Sequence, residues 1–316
     1  MWNFVQNRRW YYLFSSAVIL LGVAAMVYST ITFGSPVRLG VDFTGGSLFV
    51  LQFKGAATEG GIRTVFTDFG EGNAMIQRLG RPEDNLWQVR ASFMEPDKVN
   101  QIKAALGSSI ASLDTDRSTF DVVNPSIGGE VTRAALYAVI VTALVILVFI
   151  WFAFRRVPHS VRYAACAIVA VVHNILVTTG MMSLAGLLLG WEADVLFLTA
   201  MLTVIGFSVQ DTIVVYDRIR ENIPKRRGEP FEAIVNRSLL EVLQRSLTTQ
   251  LNAIFVMVCI LLFGGATIKQ FIAVMLVGLM SGTYASLCNA VPLVVSWELG
   301  EFRNLFGLLG PRPSQA

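Results

Sequence analysis

The chain is predicted to be an α-helical membrane protein, with six transmembrane helices and a small α+β, ferredoxin-like external domain between the first and the second. Three observations carry that prediction. Of the 316 residues, 54% are hydrophobic and only 15% are charged, against about a quarter charged in ordinary soluble domains. Six apolar runs, at 10–33, 134–154, 163–189, 195–216, 247–264 and 271–295, match the roughly 20 helical residues that cross about 30 Å of hydrocarbon. Between the first two runs lies a polar segment in which strand-like and helix-like patterns alternate.

Lys and Arg collect in the cytoplasmic loops of such proteins, which orients the runs. Arg8 and Arg9 precede the first run, and Arg155, Arg156 and Arg162 lie between the second and third. Between the fourth and fifth are Arg218, Arg220, Lys225, Arg226, Arg227 and Arg237, whereas the short loops opposite hold only Lys269. Both termini are therefore expected in the cytoplasm. The expected division is 1–35 for the N-terminus and first helix, 36–130 for the external domain, 131–299 for the remaining helices and 300–316 for a cytoplasmic tail. Arg8, Arg9 and the stretch Val23-Ala24-Ala25 also resemble a cleavable signal peptide. The apolar run continues past Ala25 to Ile31, so a retained anchor is expected.

After the first run comes Leu39-Gly-Val-Asp-Phe-Thr-Gly-Gly46. Gly45 and Gly46 open backbone conformations closed to other residues, and Asp42 and Thr44 can bond locally in a turn. A structural loop that docks the external domain is expected here. A helix follows over 58–69, capped by Thr58, with Ile62, Val65, Phe66 and Phe69 on one face. Strands are expected at 73–79 and 86–93, a helix at 95–113 and a last strand at 120–123. The resulting β-α-β-β-α-β order is that of a ferredoxin-like layer. Lacking His, Cys or a nucleophile motif, this domain is expected to bind or to move rather than to catalyse. The segment 124–130, with Pro125 and a glycine pair, is expected to be a short connector, and Glu130 to sit at the start of the second span.

The stretch 196–222 carries the sharpest signal. A carboxylate within an apolar span costs several kcal/mol by insertion scales, so Asp211, about two helical turns before the exit at Asp217, marks an ion or proton pathway. The alternative is a buried carboxylate that only joins helices. Ala200, Val204, Ser208 and Asp211 share a stripe, with Arg218 two turns on, so Asp211 is expected to face a partner helix. Asp217, Arg218 and Arg220 read as a charged turn leaving the bilayer. In the third run, His173 and Asn174 imply a polar bundle interior, with His173 either a proton carrier or a helix-bonding group.

Residues 231–244 form an amphipathic pattern, with Ile234, Val235, Leu239, Val242 and Leu243 apolar, expected as a helix on the inner surface. Arg245 follows at the mouth of the fifth run. It either snorkels to the interface or, lying near the depth of Asp211, forms a switchable ion pair with it. In the sixth run Gly278, Gly282, Ser286 and Ala290 recur every fourth residue as a close-packing seam, and Pro292 is expected to bend the end.

Several classes are disfavoured. Cys166, Cys259 and Cys288 all fall in apolar runs without metal-type spacing, which argues against a disulfide framework or a zinc site. The net charge of +3 is too small, and too concentrated in short loops, to argue for nucleic acid. No GxxxxGK[ST] phosphate loop is present. No enzyme activity and no cofactor are expected.

GVDFTGG after the first span resembles the signature of the SecF branch of the SecD/SecF protein-export family. VIGFSVQDTIVVYDRIREN, NRSLLEVLQRSLTTQL and FGGATIKQFIAVMLVG resemble its fourth, fifth and sixth spans, and 125–130 its motif before the second. Asn174 and Asn124 stand where the family usually has Asp and Gly. The resemblance implies half of a twelve-helix bundle of the RND superfamily, completed by SecD. It implies an accessory role beside the SecYEG translocon, with YidC- or YajC-type proteins, acting on unfolded polypeptides in the bacterial cell membrane. It also implies protons as the coupling ion, with Asp211 and Arg245 in the pathway and Asp42 in the external motif. Two rivals are an RND-type half-transporter for small molecules or lipids, which predicts a substrate pocket and a second, larger external domain, and a passive scaffold, for which Asp211→Asn would be harmless.

Overall fold

The computed structural model describes residues 3–79, 84–155, 160–226 and 228–301. Arg156, Arg227 and the expected tail from 302 onward lie outside the described residues. In chain order the elements are α1 (Arg8–Phe33), α2 (Val41–Thr44), β1 (Gly46–Gln52), α3 (Glu59–Asp68), β2 (Met75–Leu79), β3 (Leu86–Ala91), α4 (Pro96–Ser109), β4 (Thr119–Val123), α5 (Pro125–Ala153), α6 (Ser160–Leu189), α7 (Val195–Lys225), α8 (Phe231–Phe263), α9 (Ala266–Tyr284) and α10 (Val291–Glu298). Among the described residues, six helices are long and apolar enough to cross a membrane: α1, α5, α6, α7, α8 and the Ile268–Glu298 stretch.

The chain forms two compact units. One comprises residues 39–138 together with 192–195, and the other comprises residues up to 38, 139–191 and from 196 onward.

In the first unit the strands are all antiparallel in the order β2-β3-β1-β4. With two intervening helices this is the ferredoxin-like arrangement that the pattern predicts. Helix α3 begins at the expected cap, the Thr58 hydroxyl accepting from the Gly61 N–H. Every second residue of β1 meets the helices. Phe49, Leu51, Ile62, Phe66, Val89, Ile102 and Leu106 are all buried together. Phe49 stands edge-on to both Phe66, at 5.1 Å, and Phe120, at 5.8 Å. Residues 41–44, expected as a turn, make one short helical turn, α2. The expected connector 124–130 is instead the first turns of α5. Proline is tolerated at a first helical position because its missing N–H would have no partner there. The Asn124 carboxamide oxygen accepts from the N–H of Ser126, 3.0 Å away, and completes the start.

In the second unit, helices meet where side chains are small, because lipid supplies no hydrophobic drive for helices to associate. Helix α1 lies against α6 at Gly22 and Gly180, where a Cβ on Gly180 would stand 2.6 Å from the Gly22 Cα. Helix α8 departs from expectation. The surface helix and the fifth span are one continuous rod of 33 residues. No glycine or proline interrupts residues 231–263, so the amphipathic pattern changes to an apolar one without a break in the backbone. The sixth span widens into a π-helical turn at Ala285–Ala290 and resumes as α10. Pro292 lacks an N–H and crowds the carbonyl four residues back, and a wider turn ahead of it relieves both.

Candidate functional site

Helix α7 runs for 31 residues and is not broken at 217–220, where a charged turn was expected. The charges there pair along the helix: Asp217 with Arg220 at 2.5 Å and Arg218 with Glu221 at 2.6 Å. Such i,i+3 pairs stabilise a helix that leaves the apolar region, so the chain continues straight.

Asp211 lies buried in α7, 7% exposed. Its carboxylate is held by neutral donors on α8. The Ser246 hydroxyl donates to Oδ1 at 3.1 Å and the Gln250 amide donates to Oδ2 at 2.6 Å. Ser246 and Gln250 are four residues apart and so lie on one face of their helix. Thr283 of α9 is a third polar neighbour. Further along the same two helices, Arg218 Nε donates to Glu241 at 2.6 Å, and the Asn222 amide donates to Ser238 and Glu241, each at 2.9 Å. The α7–α8 interface is thus a polar ladder with Asp211 at its most apolar end.

Of the two readings of Arg245, the ion pair with Asp211 is not formed. Arg245 is exposed, on a face of α8 shared with Glu241, Thr248 and Thr249, and no ion pair joins it to Asp211 among the described residues. Successive residues on a helix are turned by about 100°, so when Ser246 faces α7, Arg245 faces away from it.

The predicted stripe on α7 also divides. Ser208 and Thr212 face α9, whereas Asp211 faces α8. From Ser208, a step of four residues advances by about 40° and a step of three falls back by about 60°. On the α9 side the expected small-residue seam is present. A Cβ on Gly278 would stand 2.5 Å from Val204 Cγ2, and one on Gly282 would stand 3.1 Å from the Ser208 Cβ. Ser286 donates to the Ser208 carbonyl at 2.8 Å, Thr212 donates to Ser286 at 2.9 Å, and the Tyr216 hydroxyl donates to the Ala290 carbonyl at 3.3 Å.

His173 and Asn174 are buried in α6, and neither bonds to Asp211. Among the described residues, no hydrogen-bond partner meets either His173 nitrogen or the Asn174 carboxamide. The His173 ring lies 6.2 Å from that of Tyr284.

In the α+β unit, the Thr44 hydroxyl bonds locally as expected, donating to the Gly40 carbonyl at 3.1 Å, whereas Asp42 reaches further. Its Oδ2 accepts from the N–H of Val195 at 3.0 Å, which caps the start of α7. Gly45 and Gly46 have φ of 73° and 128°, in the region that favours glycine. Both are also crowded, since a Cβ on Gly45 would stand 2.5 Å from the Pro125 Cα and one on Gly46 would stand 2.9 Å from the Ala91 carbonyl oxygen. The capping role of Asp42 was beyond sequence reasoning because its partner is a backbone group 153 positions away.

The model of the SecD/SecF protein export membrane protein C-terminal region matches residues 102–300, and that of the SecD/SecF GG motif matches residues 30–57. The chain belongs to the SecD/SecF family. A protein translocase subunit SecF from Anaerolinea thermophila is 40% identical over the full length of both chains. Another SecF, from Thermobaculum terrenum, is 39% identical, with 94% of this chain and 95% of that protein covered. Among solved structures, SecDF from Thermus thermophilus, described as a translocon-associated membrane protein, superposes with a TM-score of 0.78 at 29% identity. That match covers 94% of this chain but 39% of the SecDF chain. The GG motif of the family therefore contains Asp42, Gly45 and Gly46, and its C-terminal region contains the Asp211 site.

Proposed function

We propose that this SecF-family chain acts with a SecD half as an accessory motor of the Sec machinery, using the proton-motive force to promote passage and release of secreted polypeptides. The unmatched length of the SecDF chain supports a SecD-like partner, and its description as translocon-associated supports work beside SecYEG, with YidC- or YajC-type proteins as further neighbours. The bacterial cell membrane, with both termini cytoplasmic, is the setting that the distribution of Lys and Arg favours. The chain is not an enzyme in this reading and needs no cofactor; the proton is the coupling ion.

The observation that carries the reading is the Asp211 carboxylate held by uncharged, reversible donors within an apolar helix. A Ser hydroxyl can rotate and a Gln amide can turn over, so Ser246 and Gln250 can donate to the carboxylate or accept from the carboxylic acid. Both protonation states are accommodated without leaving a buried charge beside a fixed countercharge. A proton crossing 100 mV brings about 2.3 kcal/mol, enough for a few protons to move a helix pair between arrangements. Arg245, exposed on α8, is available to a carboxylate of the partner half.

The test is export of a secreted precursor in energised vesicles containing the chain and SecD, with Asp211→Asn in place of the native residue. Asparagine keeps the size and the hydrogen bonds, so assembly should persist while proton-dependent export falls at least about tenfold, the loss expected for one essential proton carrier. Undiminished export would refute the motor reading and favour the passive scaffold.

A further inference from the structure

The GG-motif segment grips the first turns of two membrane helices, and the sheet holds one of those grips. At α7, Asp42 caps the Val195 N–H at 3.0 Å, and the backbone just before the helix is bound as well. Gly40 N–H donates to the Ala193 carbonyl at 2.6 Å, and Leu39 and Ala193 form a parallel bridge. A Cβ on Gly40 would stand 3.0 Å from that carbonyl oxygen, so a larger residue would push the two segments apart. At α5, Gly45 lies against Pro125, Gly128 lies against the Phe43 carbonyl, and the Thr132 hydroxyl donates to that same carbonyl at 3.3 Å. Arg90 of β3 then joins sheet to grip. Its guanidinium donates to Glu192 at 3.2 Å and to the Thr44 hydroxyl at 2.5 Å. Glu192 is only 7% exposed, so the pair is well shielded from water. All of these residues belong to the α+β unit.

We propose that Arg90, Glu192 and Asp42 are positioning residues that lock the first turn of α7 to strand β3, so that displacement of the helix carrying Asp211 is delivered to the α+β sheet. An α-helix transmits axial displacement because each turn is hydrogen-bonded to the next. Helix α7 is unbroken from Val195 to Asp211 and beyond. The charged clamp adds direction. A guanidinium shared between a carboxylate and a hydroxyl holds two segments at once, which a single contact would not. The coupling deepens the motor reading above and rests on it.

The test uses the full chain with SecD in energised vesicles, comparing Arg90→Glu, Glu192→Arg and the double exchange, each normalised to inserted protein. Each single exchange should lower proton-driven export about tenfold by opposing like charges in a shielded site, and the double exchange should restore most of it. Amide exchange at Val195 is read in parallel. It should rise with Asp42→Ala and with each single exchange, and stay native with Asp42→Asn, which still caps. Single exchanges with native export overturn the proposal, as does native amide protection in Asp42→Ala and in both single exchanges. If the double exchange fails to insert, Asp42→Ala against Asp42→Asn decides alone. Asp211→Asn is run beside them. Full export there removes the motor reading, and the lock is then judged on amide exchange.

Discussion

Helix α7 presents two faces of opposite character, and the contrast locates where this molecule can change. Toward α9 and the π-helical turn after it, α7 meets Gly278, Gly282, Ser286 and Ala290, and a carbon added at Gly278 or Gly282 would crowd the Val204 or Ser208 side chain. Toward α8 it meets Ser246, Gln250, Glu241 and Ser238 through side-chain hydrogen bonds. Close steric packing has one good arrangement and a steep cost for others. Hydroxyl, amide and carboxyl groups can exchange partners and protons at similar energy. The α9 face is therefore the fixed hinge plate and the α8 face the changeable one.

The largest effect should come from filling the fixed face. Gly278→Leu would drive a side chain into Val204, a β-branched residue with little freedom to move, and should destabilise the helical unit by about 3 kcal/mol or more. Thermal unfolding in detergent would register this, and a melting point equal to that of the native chain would erase the distinction between the faces. On the changeable face, Asn222→Ala removes a buried amide that donates to both Ser238 and Glu241. The expected loss is about 1–2 kcal/mol, with insertion retained. A loss as large as that of Gly278→Leu would show that the polar ladder is as rigid as the seam.

The smallest effect sharpens the contrast from outside the membrane helices. Glu71 accepts from the Ser92 hydroxyl at 2.5 Å and from Lys98 at 3.1 Å. Burial alone would push its carboxyl up, but the bonds from Ser92 and Lys98 outweigh it and hold the group below the ordinary glutamate range. A depressed carboxyl contributes stability above its unfolded pKa, about 4.3, and loses it as pH falls through the folded value. Glu71→Gln should thus destabilise the α+β unit by about 1 kcal/mol at neutral pH, the gap closing in acid. Amide exchange of β1 and β3 measured across pH would check the sign. A gap that widens in acid would contradict the assignment.

Apolar run length and strand alternation were enough to read the six spans and the ferredoxin-like order, because both depend on local periodicity and on the transfer of whole segments from water. Asp211 was equally legible, as a charge where charges are costly. Whether Arg245 snorkels or pairs with Asp211 was not legible, because adjacent helical positions point about 100° apart, a difference that the depth of a residue in a span does not contain. Ser246 and Gln250 carry no comparable signal, since uncharged polar side chains are common along the polar face of an amphipathic helix. Asp42 reads locally as a turn residue, yet it caps Val195 across a separation that only chain closure brings together. Composition and period thus set which segments enter the membrane and which residue is out of place there. The folded chain alone decided which face of α7 packs against glycine, which meets movable hydrogen bonds, and what holds its first turn, because those are properties of rotation and contact between distant segments.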